Sequence, residues 1–367
     1  MKNLLYFASD YKIGLSQVLT DQLISLYEAN VPVTAVAGEN EQEFGLSQKL
    51  SDRDIPISRI PGLDAHNDFT RLVNEIVNLI QQNDIKVIHV QNNWQLAIVS
   101  AAKIILIGKR RFNIAYTIHG FRNSSPIKSI IARGIIGSAL WVSADHVICM
   151  TEFLKKKFSL LSYKIDLIPL GVDENYFLDE FVVPQTDSLH LVFPAQFRQG
   201  KNQDMIIRAF AEYVRKSNDI AASLTLPGSG DLMKNMKSLA NELGVGNQVI
   251  FPGFVSKQQV KDHYLNSNIA IVASNSETFG QSIVEPFVLG RCVISTPVGI
   301  ATEIIKNEKN GYIFRSQAEL TERLLDLHNN RQRIVAMGHE NYNHRMIFSW
   351  RNVTARYIET IIENHIS

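Results

Sequence analysis

Short apolar, β-branched runs alternate with amphipathic stretches along the whole chain of 367 residues. This rhythm predicts an α/β protein with parallel sheets covered by helices. Leu4–Ala8 reads as a first strand. It leads through a loop holding Gly14 into a helix from about Gln17 to Glu28. Val33–Ala37 and Ile55–Ile60 read as strands, and Asp68–Gln82 as a helix with Leu72, Ile76, Val77 and Ile80 on one face. Strand Lys86–Val90, helix Gln95–Ile107, strand Ile114–Ile118, helix Ile127–Ala144 and strand His146–Met150 follow, and a helix begins at Thr151. The segment Leu167–Phe177 and its polar sequel to Ser188 read as a boundary. Alternation then restarts with strand Leu189–Ala195, helix Gln203–Lys216, strand Ser223–Pro227, helix Asp231–Leu243, strand Gln248–Phe251 and strand Ile269–Ala273. Arg351–Glu363 reads as a terminal helix. Two α/β halves of similar size predict two Rossmann-like domains facing a cleft, one over 1–178 and one over 186–349.

Composition narrows the class. Hydrophobic content of 45%, charged content of 20% and a net charge of +1 describe an ordinary globular protein and argue against a nucleic-acid binder. Two cysteines, Cys149 and Cys292, supply neither a disulfide framework nor a metal cluster and fit a reducing cytoplasm. The first residues hold too short an apolar run for a signal peptide, and no run reaches a membrane span.

Chemistry concentrates in Ser274–Ile305. A polar turn carrying Glu277 meets Phe279–Gly280. An apolar run from Ile283 to Leu289 follows, interrupted by Glu285 and Pro286, and then a short strand, Cys292–Ser295. A helix start presents unpaired N–H groups and a partial positive charge, which suits a diphosphate. Glu285, inside an apolar face, needs a hydrogen-bonding partner, and ribose hydroxyls are a natural one. Two superficially suggestive patterns fail. Asp52-Arg53-Asp54 imitates a metal-binding D-x-D outside its usual context, and the G-x-G begun at Gly228 breaks at Met233.

The stretch resembles the E-x7-E region of the retaining GT-B glycosyltransferases of family four, with Glu277, Phe279, Gly280, Glu285, Gly290, Val293, Gly299 and Glu303 in matching places. The likeness extends to FPAQFRQGKNQDMIIRAF (193–210), LTLPGSGD (224–231), VIFPGFV (249–255) and LIPLGVD (167–173), and more loosely to IHVQNN (88–93) and TIHG (117–120). It implies a GT-B fold whose terminal helix, 350–367, crosses back to complete the N-terminal domain. It also implies a retaining enzyme that moves a hexose-type sugar from a nucleoside diphosphate donor, UDP-linked by expectation, to a saccharide or lipid-linked saccharide acceptor in surface polysaccharide synthesis. No metal or other cofactor is expected. By the same resemblance, Glu277 holds donor-sugar hydroxyls and Glu285 the ribose. Amides of Phe279, Gly280 and Gln281 face the sugar and diphosphate. Lys201 binds the leaving diphosphate, and His119 acts at the donor sugar or diphosphate. Gly14 lets the first loop approach the donor. The family's Arg five positions before that Lys is Gln196 here, and Arg198 is the nearby substitute. Leu170, Ile300 and Pro286 are smaller departures. A Pro at 286 requires a helix that starts close before it.

Charge is uneven: Ser100–Leu170 holds eleven Lys/Arg against three Asp/Glu. Lys103, Lys109–Arg111, Lys128, Arg133 and Lys155–Lys157 flank apolar runs such as Ile104–Ile107. This is either an interfacial surface, and so a peripheral contact with the inner face of the membrane, or a core helix with solvated charges. Two other functions fit the same motifs, a sugar-nucleotide epimerase or phosphorylase and a non-catalytic nucleotide-sugar-binding subunit. The second is motivated by Gln196.

Overall fold

The computed structural model describes residues 3–8, 13–38, 46–63, 68–119, 142–158 and 164–363, without side chains for 13–17 and 46–47. The helix expected over 127–144 lies almost wholly outside them, as do Gly120, Lys128 and Arg133. The chain divides into two compact units, 1–171 with 350–367, and 172–349.

The first unit is built on a parallel sheet of seven strands: β1 (Asn3–Phe7), β2 (Val33–Ala37), β3 (Ile57–Arg59), β4 (Ile85–Val90), β5 (Asn113–Thr117), β6 (His146–Cys149) and β7 (Ile165–Leu167), in the order β3-β2-β1-β4-β5-β6-β7. The helices are α1 (Ile13–Glu28), α2 (Leu46–Ser51), α3 (Phe69–Gln82) and α4 (Asn93–Ile105), followed by a short one at Glu152–Lys156. α3 starts where the Asp68 carboxylate accepts the Arg71 amide, and it buries Leu72, Val73, Ile76, Val77 and Ile80 against the sheet. On the opposite face Leu19, Leu23 and Leu26 of α1 share a core with Trp350, Val353, Tyr357, Ile361 and Ile362. The last helix is regular over Trp350–Tyr357 and widens into π-type turns over Ile358–Glu363.

The second unit holds a parallel sheet of six strands: β8 (His190–Val192), β9 (Ser223–Pro227), β10 (Val249–Gly253), β11 (Ile269–Val272), β12 (Cys292–Ser295) and β13 (Gly311–Ile313), in the order β10-β9-β8-β11-β12-β13. β11 and β12 are buried along their whole length, as central strands covered on both faces must be. Among the described residues no helix is long and apolar enough to cross a membrane.

Four expectations change. Gly14 lies in the first turn of α1, not in a preceding loop, because the helix begins four residues earlier than the apolar periodicity marks. An unforeseen strand, β7, ends at Leu167, where the segment read as a boundary begins: three residues carry too short a pattern to register as a strand. Ile104, Ile105 and Ile107 are exposed and only Leu106 is buried, so the end of α4 is not core. Finally, the helix carrying Pro286 starts at Gln281, five residues before it. The Ser282 carbonyl therefore cannot receive an amide from position 286.

Candidate functional site

In the second unit the site grows from the carboxyl ends of β8, β9 and β11, where open α/β sheets place their ligands. After β8 the chain makes a tight turn: the Gln196 carbonyl accepts from the Arg198 amide (2.9 Å) and from Gln203 Nε2 (3.1 Å). Phe197, 1% exposed, anchors this turn in the core. Asn202, left-handed at φ 54°, starts the Gln203–Ser217 helix without capping it. Its side-chain amide instead donates to the Ala273 carbonyl (2.8 Å) and to Asn275 Oδ1 (2.6 Å), and the Asn275 amide donates to the Gly200 carbonyl (2.8 Å). These bonds clamp the β8 loop to the β11 loop and set Lys201 beside Glu277. Lys201 Nζ lies 2.5 Å from Glu277 Oε1, and both side chains are mostly enclosed, at 13% and 17% exposure. Arg198 is exposed, with Nη1 3.5 Å from the Gln199 carbonyl. Its backbone carbonyl accepts from the Lys201 amide (3.3 Å), but among the described residues its guanidinium makes no hydrogen bond or ion pair with Lys201 or Glu277.

Beyond Glu277 the chain packs Phe279 inward, edge-on to Phe348 at 6.2 Å, so only its backbone faces the loop. Gly280, at φ 103°, opens the Gln281–Val288 helix with no side-chain cap. The Ile283 amide turns back to the Gly280 carbonyl (2.9 Å), which leaves the Gln281 and Ser282 amides as the first-turn donors suited to an anion. Gly299 closes the loop from the other side. A Cβ there would lie 2.2 Å from the Phe279 carbonyl oxygen, and its φ is +52°, so a side chain is excluded on both counts.

One turn into this helix stands Glu285. Burial pushes its carboxyl up to about 7; Lys257 and the neighbouring Tyr264 hydroxyl pull it down, and Asp173 pushes it up. Tyr264 is fully enclosed. The Lys257–Leu265 helix begins with a capping box between Ser256 and Gln259. Positions 257, 260 and 264 of that helix share a face, so Val260 lies between the two residues that influence Glu285. Val260 also lines a cavity of about 320 Å³ with Pro194, Gln196, Pro227, Gly228 and Phe254. Glu277, Lys201, the Gly280 helix start, Glu285 and this cavity all lie along the rim of the second unit.

In the first unit His119 follows β5, and its Nε2 donates to the Oε1 of the nearly buried Gln91 (2.7 Å). Behind it His89 is enclosed, bonded to Thr117 Oγ1 (2.7 Å) and to the Tyr357 hydroxyl (3.0 Å). Burial pulls His89 down to about 3, so this imidazole stays neutral. Gln91, Asn202 and Tyr264 are the residues that motif reasoning missed. A left-handed Asn ahead of a helix leaves a faint signal in GKNQ. A tyrosine turned toward a glutamate some twenty positions away leaves none.

Two parallel-sheet units with an anion-ready helix start at the strand ends are the architecture of the GT-B glycosyltransferases. The solved structure of Anabaena HepE in complex with UDP matches this fold with a TM-score of 0.78 at 17% identity, over 98% of this chain and 99% of that one. The model of Glycosyltransferase Family 4 matches residues 14–176 and that of Glycosyl transferases group 1 matches residues 178–344, and the chain belongs to this glycosyltransferase family. An uncharacterised glycosyltransferase of Methanocaldococcus jannaschii is 32% identical over 127 residues, 35% of this chain and 32% of its own length. The alpha-monoglucosyldiacylglycerol synthase of Streptococcus pneumoniae is 20% identical over 324 residues, covering 80% of this chain and 70% of that protein.

Proposed function

We propose that the protein transfers a hexose-type sugar from a UDP-sugar, with retention of configuration and without a metal, to a saccharide or lipid-linked saccharide acceptor in surface polysaccharide synthesis. The observation that carries this is the enclosed Lys201–Glu277 pair beside an uncapped helix start. Breaking the bond to the anomeric carbon builds negative charge on the diphosphate and positive charge on the sugar. Lys201 and the amides of Phe279, Gly280 and Gln281 stabilise the first. Glu277, loosened from Lys201 as the diphosphate arrives, orients the sugar hydroxyls. Glu285 accepts from the ribose, and the apolar cavity beside Val260 takes the base. Gln196 removes one cation from the leaving-group side, and Arg198 compensates by swinging from its exposed position. His119 acts at the donor sugar or diphosphate, and the leaving phosphate takes the acceptor proton. The UDP in the HepE complex supports the choice of base, and the lipid named for the pneumococcal relative supports a membrane-borne acceptor. Peripheral contact with the inner face of the membrane is part of this proposal.

Incubation with a panel of nucleotide sugars and candidate acceptors tests it. Transfer or donor hydrolysis supports a transferase. Epimerisation of the donor alone, phosphorolysis, or binding without turnover would replace it with one of the two other functions.

A further inference from the structure

The end of α4 has no role in the site, yet it has an unusual surface. Ile104 (67% exposed), Ile105 (49%) and Ile107 (71%) stand together where the helix ends. The turn is compact. The Ile107 amide donates to the Ile104 carbonyl, Gly108 turns left-handed at φ 78°, and the Lys109 and Arg110 amides both return to the Leu106 carbonyl. Lys109, Arg110 and Arg111 follow at once, all exposed. Basic residues after a helix C-terminus complement its partial negative charge, which accounts for some of that charge. It does not account for three exposed isoleucines on the same knuckle, since apolar exposure in monomers is usually scattered.

The surrounding charges have one sign in excess. Lys103 pairs with Asp145 (2.6 Å), and Arg110 and Lys86 share Asp84 (2.9 Å each). Lys109 and Arg111 form no ion pair among the described residues. A knuckle of isoleucines ringed by surplus cations matches a bilayer with anionic headgroups, where apolar side chains enter the acyl boundary and cations meet the surface potential.

We infer that this α4–β5 knuckle, with Ile104, Ile105 and Ile107 inserted and Lys109 and Arg111 on the headgroups, docks the first unit on an anionic lipid surface. The inference sharpens the peripheral contact proposed above. α4 ends and β5 begins at the amino end of the parallel strands, opposite the carboxyl end where His119 lies. Docking there leaves those strand ends uncovered and turned away from the bilayer, so a lipid-linked acceptor would reach them only through a saccharide long enough to span the first unit.

Vesicle co-sedimentation of the full chain tests it, using equimolar phosphatidylglycerol and phosphatidylcholine against phosphatidylcholine alone. Binding to the anionic vesicles alone, lowered by added salt, is expected. Replacing Lys109 and Arg111 with Gln together should weaken it about tenfold or more, and Ile104→Asp with Ile107→Asp should abolish it. UDP-induced thermal stabilisation of the same variants separates this claim from the donor site. If UDP stabilises neither the native chain nor the variants while anionic vesicles bind the native chain and not the variants, the donor assignment falls and the docking surface stands. Equal binding to both vesicle types, or anionic binding unchanged by the four substitutions, would overturn the inference. So would concentration-dependent self-association of the native chain lost in the Ile variants, which would make the knuckle a contact between copies.

Discussion

Lys201 and Glu277 neutralise each other at 2.5 Å within a largely enclosed site, so a diphosphate that engages Lys201 must draw it from Glu277. If Lys201 has the role proposed for it, Lys201→Ala should lower turnover at least about tenfold, since a preorganised cation beside the developing charge would be gone. A single-turnover assay with saturating donor reads this directly. Glu285 makes a pH prediction. Its carboxyl sits at about 7 against an ordinary 4.5. The protonated form therefore contributes stability that is complete below 4.5 and is lost as pH rises through 7. In the proposed donor site, ribose hydroxyls donate more strongly to the ionised form and so draw the value back down. UDP affinity should consequently rise as pH increases through about 7 and level off above it, as titrations from pH 5.5 to 8.5 would show. Lys257, Tyr264 and Asp173 face the same carboxylate. In Tyr264→Phe the rise should shift to higher pH, because the hydroxyl helps hold the charged form.

At the scale of elements, two loops are tied by Asn202, and the tie has separable parts. Asn202→Gly keeps the left-handed backbone but loses both side-chain bonds; Asn202→Ala loses the bonds and strains the backbone as well. Gly should cost about 1–2 kcal/mol of unfolding free energy and Ala about 1 kcal/mol more, measurable by urea denaturation. The strands were legible because parallel sheets buried on both faces need unbroken apolar runs, as in Ile269–Val272 and Cys292–Ser295. The helix holding Glu285 was legible because a carboxylate in an apolar face stands out. What surrounds Glu285 was not. Tyr264 reads as one more apolar helix position, and only tertiary packing turns it toward the acid. Gly14 misled for a related reason: a glycine near a strand end suggests a loop, whereas here it is absorbed into the first turn of α1. Ile104–Ile107 stayed undecided between core and surface, since periodicity records apolarity and not whether anything covers it.

For the molecule as a whole, the last helix belongs to the unit built from the first half of the chain. Trp350, Val353, Tyr357, Ile361 and Ile362 are all buried there, the Thr354 hydroxyl meets Ser25 (2.7 Å), and the Tyr357 hydroxyl meets His89. Each such apolar side chain contributes roughly 1.5–3 kcal/mol, against a net stability of about 5–15 kcal/mol for a domain. Ending the chain at Ser349 should therefore unfold the first unit, seen as loss of its cooperative transition in calorimetry. Sheet, clamp and helix start otherwise converge on the rim of the second unit, and the account rests on nucleotide being held there. Calorimetric titration of UDP at pH 8 into the native chain and Glu285→Gln tests that most directly. Loss of the proposed ribose acceptor should weaken binding at least about tenfold; equal affinity in the two proteins would contradict the donor site proposed for this glycosyltransferase.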